Sequence, residues 1–134
     1  MRLFNLLKSI ITAIKGISNR YYYTNKINVT GTYQTTFEVC RISNLPKGVY
    51  LCLGGVESSV ANTSTIVSAS IRPALNATNL MYQVVRTTMT SGGGASTYSL
   101  MEVTQDGGTI YIDTYRYYSG SVTYRGTLIA IKLI

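Results

Sequence analysis

The last eight residues, Thr127 to Ile134, constrain the fold most because they are apolar at nearly every position. In a strand, alternate side chains point to opposite faces, and a strand with one face in water normally alternates apolar and polar residues. One face of this closing strand carries Leu128, Ala130, Lys132 and Ile134; the other carries Ile129, Ile131 and Leu133. A single small sandwich covers only one face of a sheet. We therefore predict an oligomer, in which Ile129, Ile131 and Leu133 lie in a subunit interface or in the core.

Composition excludes several classes of function. The 134 residues are 46% hydrophobic and 13% charged, which is typical of one β-rich domain. The net charge of +7 comes from basic residues scattered along the chain, whereas nucleic-acid sites usually cluster them, so no nucleic-acid partner is predicted. The chain has no His, which removes the commonest general base and metal ligand. We predict no enzyme, no cofactor and no metal site.

Three weaker patterns have ordinary interpretations. The triglycine Gly92–Gly94 lacks the Lys-Ser/Thr pair of a phosphate-binding loop and indicates a hairpin tip. Glu102 and Asp113 could face each other across a hairpin at Asp106-Gly107, as a cross-strand charged pair rather than a catalytic dyad. Cys40 and Cys52 flank another predicted hairpin; free thiols are favoured, with a disulfide as the alternative.

Residues 1–20 form a separate unit, predicted to be an amphipathic helix for trimerisation or attachment. An a/d heptad seam runs through Leu3, Leu7, Ile10, Ile14 and Ile17. Leu and Ile in these positions favour three or more strands over two. Lys8 and Lys15 interrupt the apolar pattern that a signal peptide needs. A basic helix of this kind would also suit a lipid surface, and that alternative remains open.

Residues 21–134 predict an all-β head. About eight short segments with strand character recur every 10–12 residues, separated by turn signals such as Pro46-Lys47-Gly48. This spacing is typical of an antiparallel sandwich, jelly roll or barrel. The fold prediction is an eight-stranded antiparallel jelly-roll β-sandwich with a short N-terminal α-helix, assembled as a homotrimer.

Residues from about Tyr33 to Ile134 resemble small bacteriophage fibre and receptor-binding proteins. The resemblance is carried by Leu-Pro-Lys-Gly-Val-Tyr at Leu45–Tyr50, by the Gly-tipped segment and by the closing Gly-Thr-Leu-Ile-Ala-Ile-Lys-Leu at Gly126–Leu133. Such proteins have trimeric heads of the tumour necrosis factor and complement globular-head type. The resemblance implies a virion protein, assembled in the host cytoplasm, that docks on other virion proteins through residues 1–20 and binds a host surface glycan or protein. With no shaft between helix and head, a head fibre, capsid decoration or baseplate component is favoured over a long tail fibre. The alternative is a secreted or membrane-active sandwich whose helix binds lipid.

Strand parity predicts the location of the receptor-binding surface. If the closing strand ends at the helix end of the head, the loop at Ser119-Gly120 and the triglycine lie at the opposite end, together with 61–64. Tyrosines suit recognition surfaces because they are rigid and amphipathic. The candidate receptor-binding residues are Asn62, Gly92, Gly93, Gly94, Tyr117 and Tyr118.

Overall fold

The structure is a computed structural model that describes residues 2–18, 21–59, 65–73, 82–87 and 93–134. The helix α1 spans Arg2–Ser18. The strands are β1 (Tyr21–Val29), β2 (Thr36–Leu45), β3 (Gly48–Ser58), β4 (Thr65–Arg72), β5 (Tyr82–Thr87), β6 (Gly93–Val103), β7 (Gly108–Tyr115) and β8 (Tyr124–Lys132). The predicted all-β architecture with a short N-terminal helix is confirmed.

Two four-stranded antiparallel sheets form the sandwich. Sheet A has the strand order β1-β8-β3-β6, and sheet B has the order β2-β7-β4-β5. The closing strand β8 is central in sheet A, where Ile131 pairs with Tyr21 of β1 on one side and with Leu51 of β3 on the other. Ile131 therefore lies between an apolar residue of β1 and an apolar residue of β3.

The core lies between the sheets and follows the alternation of each strand. In β8, Leu128 and Ala130 are fully buried and point inward. Ile71 and Ile112 meet them from sheet B and are also fully buried. Gly54 of β3 lies at a point of close approach, since a Cβ there would be 2.6 Å from Cδ1 of Ile112. Glycine at this position lets the large isoleucines fill the space between the sheets.

The predicted hairpin at Asp106-Gly107 is wrong. The turn joins β6 of sheet A to β7 of sheet B, and the Gly107 N–H donates to the Leu45 carbonyl at 3.0 Å. Each flanking strand pairs within its own sheet, so a turn that looks like a hairpin becomes a crossover. Glu102 consequently pairs in register with Val49, far from Asp113, which lies in sheet B.

The predicted hairpin between the cysteines is also wrong, for the same reason. Cys40 lies on β2 in sheet B, and Cys52 lies on β3 in sheet A. Both are buried free thiols. Burial raises the pKa of Cys40 to about 11, with a smaller contribution from Glu38, and raises the pKa of Cys52 to about 12.

Several strand boundaries differ from those that the sequence predicts. The segment 27–41, predicted as one interrupted strand, divides between β1 and β2, and the tyrosines at 21–23 open β1. Gly93 and Gly94 belong to β6, where they pair with Ser58 and Glu57, and are not a hairpin tip. A glycine-rich stretch can join an edge strand when its neighbour supplies the hydrogen bonds.

Candidate subunit interface and binding surfaces

The outer face of sheet A carries a continuous apolar patch across all four strands. The patch is made of two rows of paired residues that run across the sheet, and each row has one residue from each strand. The patch consists of Tyr21 and Tyr23 of β1, Ile129 and Ile131 of β8, Leu51 and Leu53 of β3, and Tyr98 and Leu100 of β6. Ile129 and Ile131 are the outward-facing residues of β8, and they alternate with the buried Leu128 and Ala130.

The centre of strand β6 reverses the usual arrangement of polar and apolar residues. Thr97 and Ser99 point into the sandwich and are buried, whereas Tyr98 and Leu100 point outward and are 57% and 59% exposed. An edge strand of a soluble monomer normally shows the reverse arrangement. The outer face of sheet A therefore leaves large apolar side chains exposed in the single chain.

The apolar patch is large for a monomer. Five of its side chains are 39–59% exposed. At 150–250 Å² for a large side chain, this corresponds to roughly 500 Å² of exposed apolar surface. Since interfaces are about 60% apolar, an interface centred on the patch would bury roughly 800 Å² per subunit, the size of a standard specific interface.

A polar rim borders the apolar patch. The next rows of the same face form a shallow hollow lined by Gly55, Gly94 and Ser96, with an ion pair between Glu57 and Arg125 beside it. Both charged side chains are more than half exposed, so their attraction is weakened by water. An apolar centre with a polar rim is the ordinary arrangement of a protein–protein interface.

The outer face of sheet B is polar. Arg41 donates to the carboxylate of Glu38, and its guanidinium lies 5.5 Å from the centre of the Tyr111 ring. Asp113 is 1% exposed, accepts a hydrogen bond from the Ser70 hydroxyl and has Arg72 Nε 3.0 Å from Oδ2. The two sheets therefore differ: the outer face of sheet B pairs charged side chains with one another, and the outer face of sheet A leaves apolar side chains exposed.

Asp113 is the most enclosed acid of the described residues. Burial raises its pKa, and the Ser70 hydroxyl and the Arg72 guanidinium oppose that rise. Its immediate partners are a serine and an arginine, an arrangement that ties β7 to β4. Within the described part of the chain, no three His, Cys, Asp or Glu side chains form a metal-binding group.

The apolar face of α1 is exposed. Leu3, Leu7 and Ile10 are 70%, 49% and 46% exposed, and Phe4, Leu6 and Ile11 are exposed to a similar extent. The predicted seam residues Ile14 and Ile17 lie outside the described side chains. None of the described helices is long and apolar enough to cross a lipid bilayer. The helix is thus a second apolar surface, separate from the apolar patch.

The helix and the C-terminus share one end of the sandwich, here named the base. Ser18 is three residues before Tyr21, so the end of α1 lies within about 11 Å of the start of β1. At the same end of the sandwich, the Ile134 carbonyl accepts a hydrogen bond from Val49 N–H at 3.1 Å, close to the turn at Lys47. The Lys47 N–H in turn donates to Asp106 Oδ1 at 2.7 Å, which places the 105–107 turn at the base as well.

The opposite, far end of the sandwich is organised by Arg116. Its guanidinium donates to the carbonyls of Gly31, Tyr118 and Gly120, at 3.0 Å for Tyr118 and 2.6 Å for Gly120. The backbone of Arg116 also bonds to the 34–35 turn. One side chain therefore fixes the 116–120 loop against the loop that connects β1 to β2.

The predicted receptor-binding residues are only partly brought together. Gly93 and Gly94 begin β6 beside Ser58, whose partner on β8 is Tyr124 at the far end. Tyr117 is 39% exposed and its ring lies 4.3 Å from that of Tyr115. Asn62 and Gly92 lie outside the described residues.

Tyr118 differs from the free loop tyrosine that the sequence suggests. Its side chain is partly buried and packs against the core. A Cβ on Gly120 would lie 2.4 Å from the Tyr118 ring, so the ring rests directly on the glycine backbone. Of the two tyrosines of this loop, Tyr117 is the more exposed.

Sequence reasoning found two of the eight patch residues, Ile129 and Ile131. It missed the three tyrosines and three leucines on the other strands. The signal was present in β3, where Tyr50-Leu51-Cys52-Leu53 is apolar on both faces like the closing strand. In β6 the signal was weaker, because alternation alone does not say which face points inward.

No protein-family model and no curated protein sequence matches this chain.

Proposed function

We propose that this protein is a homotrimeric structural protein of the bacteriophage fibre type, with a jelly-roll head that binds a cell surface and a helix that anchors it. The observation that carries the proposal is the apolar patch together with the reversed arrangement at the centre of β6, where Tyr98 and Leu100 point outward. The patch lies on the outer face of sheet A, where a second copy would cover it. Assembly is the function that these residues support best.

The strand order supports the jelly roll. Consecutive strands alternate between the sheets except β4 and β5, and the orders 1-8-3-6 and 2-7-4-5 are those of a ribbon wound into two Greek keys. The choice of three copies rather than two rests on the resemblance of the sequence to proteins with trimeric heads. A ring of three would place the three copies of α1 at one end of the particle and the three far ends at the other.

The division between the two ends supports an attachment role. The base holds α1, and the far end presents a loop that Arg116 fixes in place with Tyr117 at its surface. A rigid loop with an exposed tyrosine suits recognition because little conformational entropy is lost on binding. Three such loops would gain affinity through multivalency even if each bound weakly.

The assembly is tested by the mass of the protein in solution. Sedimentation velocity at 1–50 μM should give three times the chain mass of 14.7 kDa. The variant Tyr98→Asp places a charge in the apolar patch, on its β6 side, and should shift the mass toward one chain. The control Glu57→Gln, in the polar rim, should leave it unchanged. A wild-type mass of one chain throughout this range would refute the proposal.

The binding surface is tested separately by attachment to host cells or to a glycan array. Tyr117→Ala should weaken attachment without changing the sedimenting mass, whereas Lys47→Ala at the base should have no effect on attachment. Tyr118→Ala is less informative because its ring packs against the core and its loss also destabilises the loop. Equal binding by Tyr117→Ala and the wild type would show that the far end is not the recognition surface.

A further inference from the structure

The apolar face of α1 is wider than a coiled-coil seam. At 100° per residue, the positions flanking the seam on both sides, Phe4, Leu6 and Ile11, are also apolar. Two- and three-stranded coils usually carry charged residues at these flanking positions, where they form pairs between helices. An apolar arc of about half the circumference is typical of a helix that lies in a lipid interface.

The polar face of α1 has the charge that an anionic surface attracts. The helix contains Arg2, Lys8 and Lys15 and has no acidic residue. Lys8 and Lys15 lie on one border of the apolar arc and Arg2 lies on the other, so each can keep its charge in the headgroup region while its stem covers apolar surface. Lys8 Nζ already lies 5.7 Å from the centre of the Phe4 ring.

The hydroxyls on the polar face need no protein partner. Ser9 Oγ donates to the Asn5 carbonyl at 3.0 Å, and Thr12 Oγ1 donates to the Lys8 carbonyl at 2.9 Å. These bonds within the helix leave its polar face compatible with headgroups and water. A groove on another protein would have to match a wide apolar arc and its cationic borders, whereas an anionic bilayer supplies both without a specific shape.

We propose that α1 binds the surface of an anionic lipid bilayer, lying flat with its apolar face in the interface. Anionic lipid is then the partner of the anchoring helix. This rests on the proposed function only for the number of helices in each oligomer. Seventeen residues at 1.5 Å each give about 25 Å of helix to lie along the surface. In a trimer, three helices at one end would bind together and raise the avidity.

The test is sedimentation of the full chain with large vesicles of phosphatidylcholine alone or with 30% phosphatidylglycerol. Binding should require the anionic lipid. Ile10→Asp, on the apolar face, should abolish it. Lys8→Gln should weaken it about fivefold, which is the effect of about 1 kcal/mol for one cation near an anionic surface. The matched control Lys26→Gln, which makes the same charge change on β1 of the sandwich, should leave binding unchanged.

Repeating the Lys8→Gln and Lys26→Gln comparison in the Ile129→Asp background separates this proposal from the trimer. The difference between the two lysines should persist in that background even if the oligomer dissociates. Failure of the anionic vesicles to pull down the wild-type chain, or equal losses for both lysine variants, would overturn the lipid proposal. It would also be overturned if Ile10→Asp dissociated the oligomer while vesicle binding was retained, because α1 would then serve self-association.

Discussion

A single charge in the closing strand should separate assembly from folding, because adjacent residues of β8 point to opposite faces. Ile129 lies in the apolar patch between Tyr23 of β1 and Leu53 of β3. Leu128, one residue earlier, is fully buried between the sheets. We predict that Ile129→Asp gives a folded monomer and that Leu128→Asp does not fold.

The magnitudes support this difference. Burying the patch of roughly 500 Å² stabilises assembly by about 12 kcal/mol per subunit before costs, at 25 cal/mol per Å². Association costs about 4–15 kcal/mol, so the net gain is small. An uncompensated charge at a buried position costs about 3–5 kcal/mol in each subunit, which is enough to remove that gain. In the separated chain Ile129 is already partly exposed, and the strand loses only about 1 kcal/mol.

Leu128→Asp acts on the core instead. Removing a buried leucine costs about 2–5 kcal/mol even without adding a charge. With the charge, the total approaches the 5–15 kcal/mol that stabilises a typical domain. The two variants have the same new side chain, so strand propensity does not distinguish them.

The assay combines sedimentation velocity with far-ultraviolet circular dichroism at 10 μM. Ile129→Asp should sediment at the mass of one chain with the wild-type spectrum and a cooperative melt, and Leu128→Asp should show no cooperative melt. If the Ile129→Asp protein kept the wild-type oligomeric mass, the apolar patch would not be the subunit interface. If it unfolded as Leu128→Asp does, the assignment of Ile129 to an outer face would be wrong.

Three further results are expected. Cys40 and Cys52 should react with iodoacetamide at pH 8 only after unfolding, because their raised pKa values leave little thiolate and both are buried; reductant should not change the melting temperature. Asp113 holds its proton more tightly when folded, so its contribution to stability is present below pH 4 and is lost as the pH rises through its raised pKa. The melting temperature of the wild type should therefore fall relative to Asp113→Asn over that window, and parallel curves would contradict this. Arg116→Ala should cost about 2–3 kcal/mol in urea unfolding because it leaves loop carbonyls without their charged donor, and a loss below 0.5 kcal/mol would show that the loop is held otherwise.

Local pattern was sufficient to predict the helix and the strands, because each depends on the period of its own residues. The approximate position of most strands follows from alternation and turn residues. The connections were not predictable in this way. A turn such as Asp106-Gly107 has the same composition whether its strands pair with each other or cross to opposite sheets, and the choice depends on distant neighbours such as Leu45.

The candidate interface was predictable where a strand was apolar on both faces and not where it was mixed. The closing strand required cover on two sides whatever its partners were. For Tyr98 and Leu100, the sequence shows only that they share a face opposite to Thr97 and Ser99. Which face points outward is decided by the register between β6 and β3, in which Tyr98 pairs with Leu53 and Leu100 pairs with Leu51.

That register links the fold to assembly. A shift of β6 by one residue would bring Tyr98 and Leu100 into the sandwich and expose Thr97 and Ser99. The shift would also expose Ala95 and Val103, which are buried near the two ends of the strand, and would bring the bulky Tyr98 ring against the closely packed centre of the sandwich. The sandwich therefore holds β6 in a register that leaves apolar side chains in water. Covering Tyr98 and Leu100 with another copy removes that cost, so assembly through the apolar patch should stabilise the observed register as well as join the subunits.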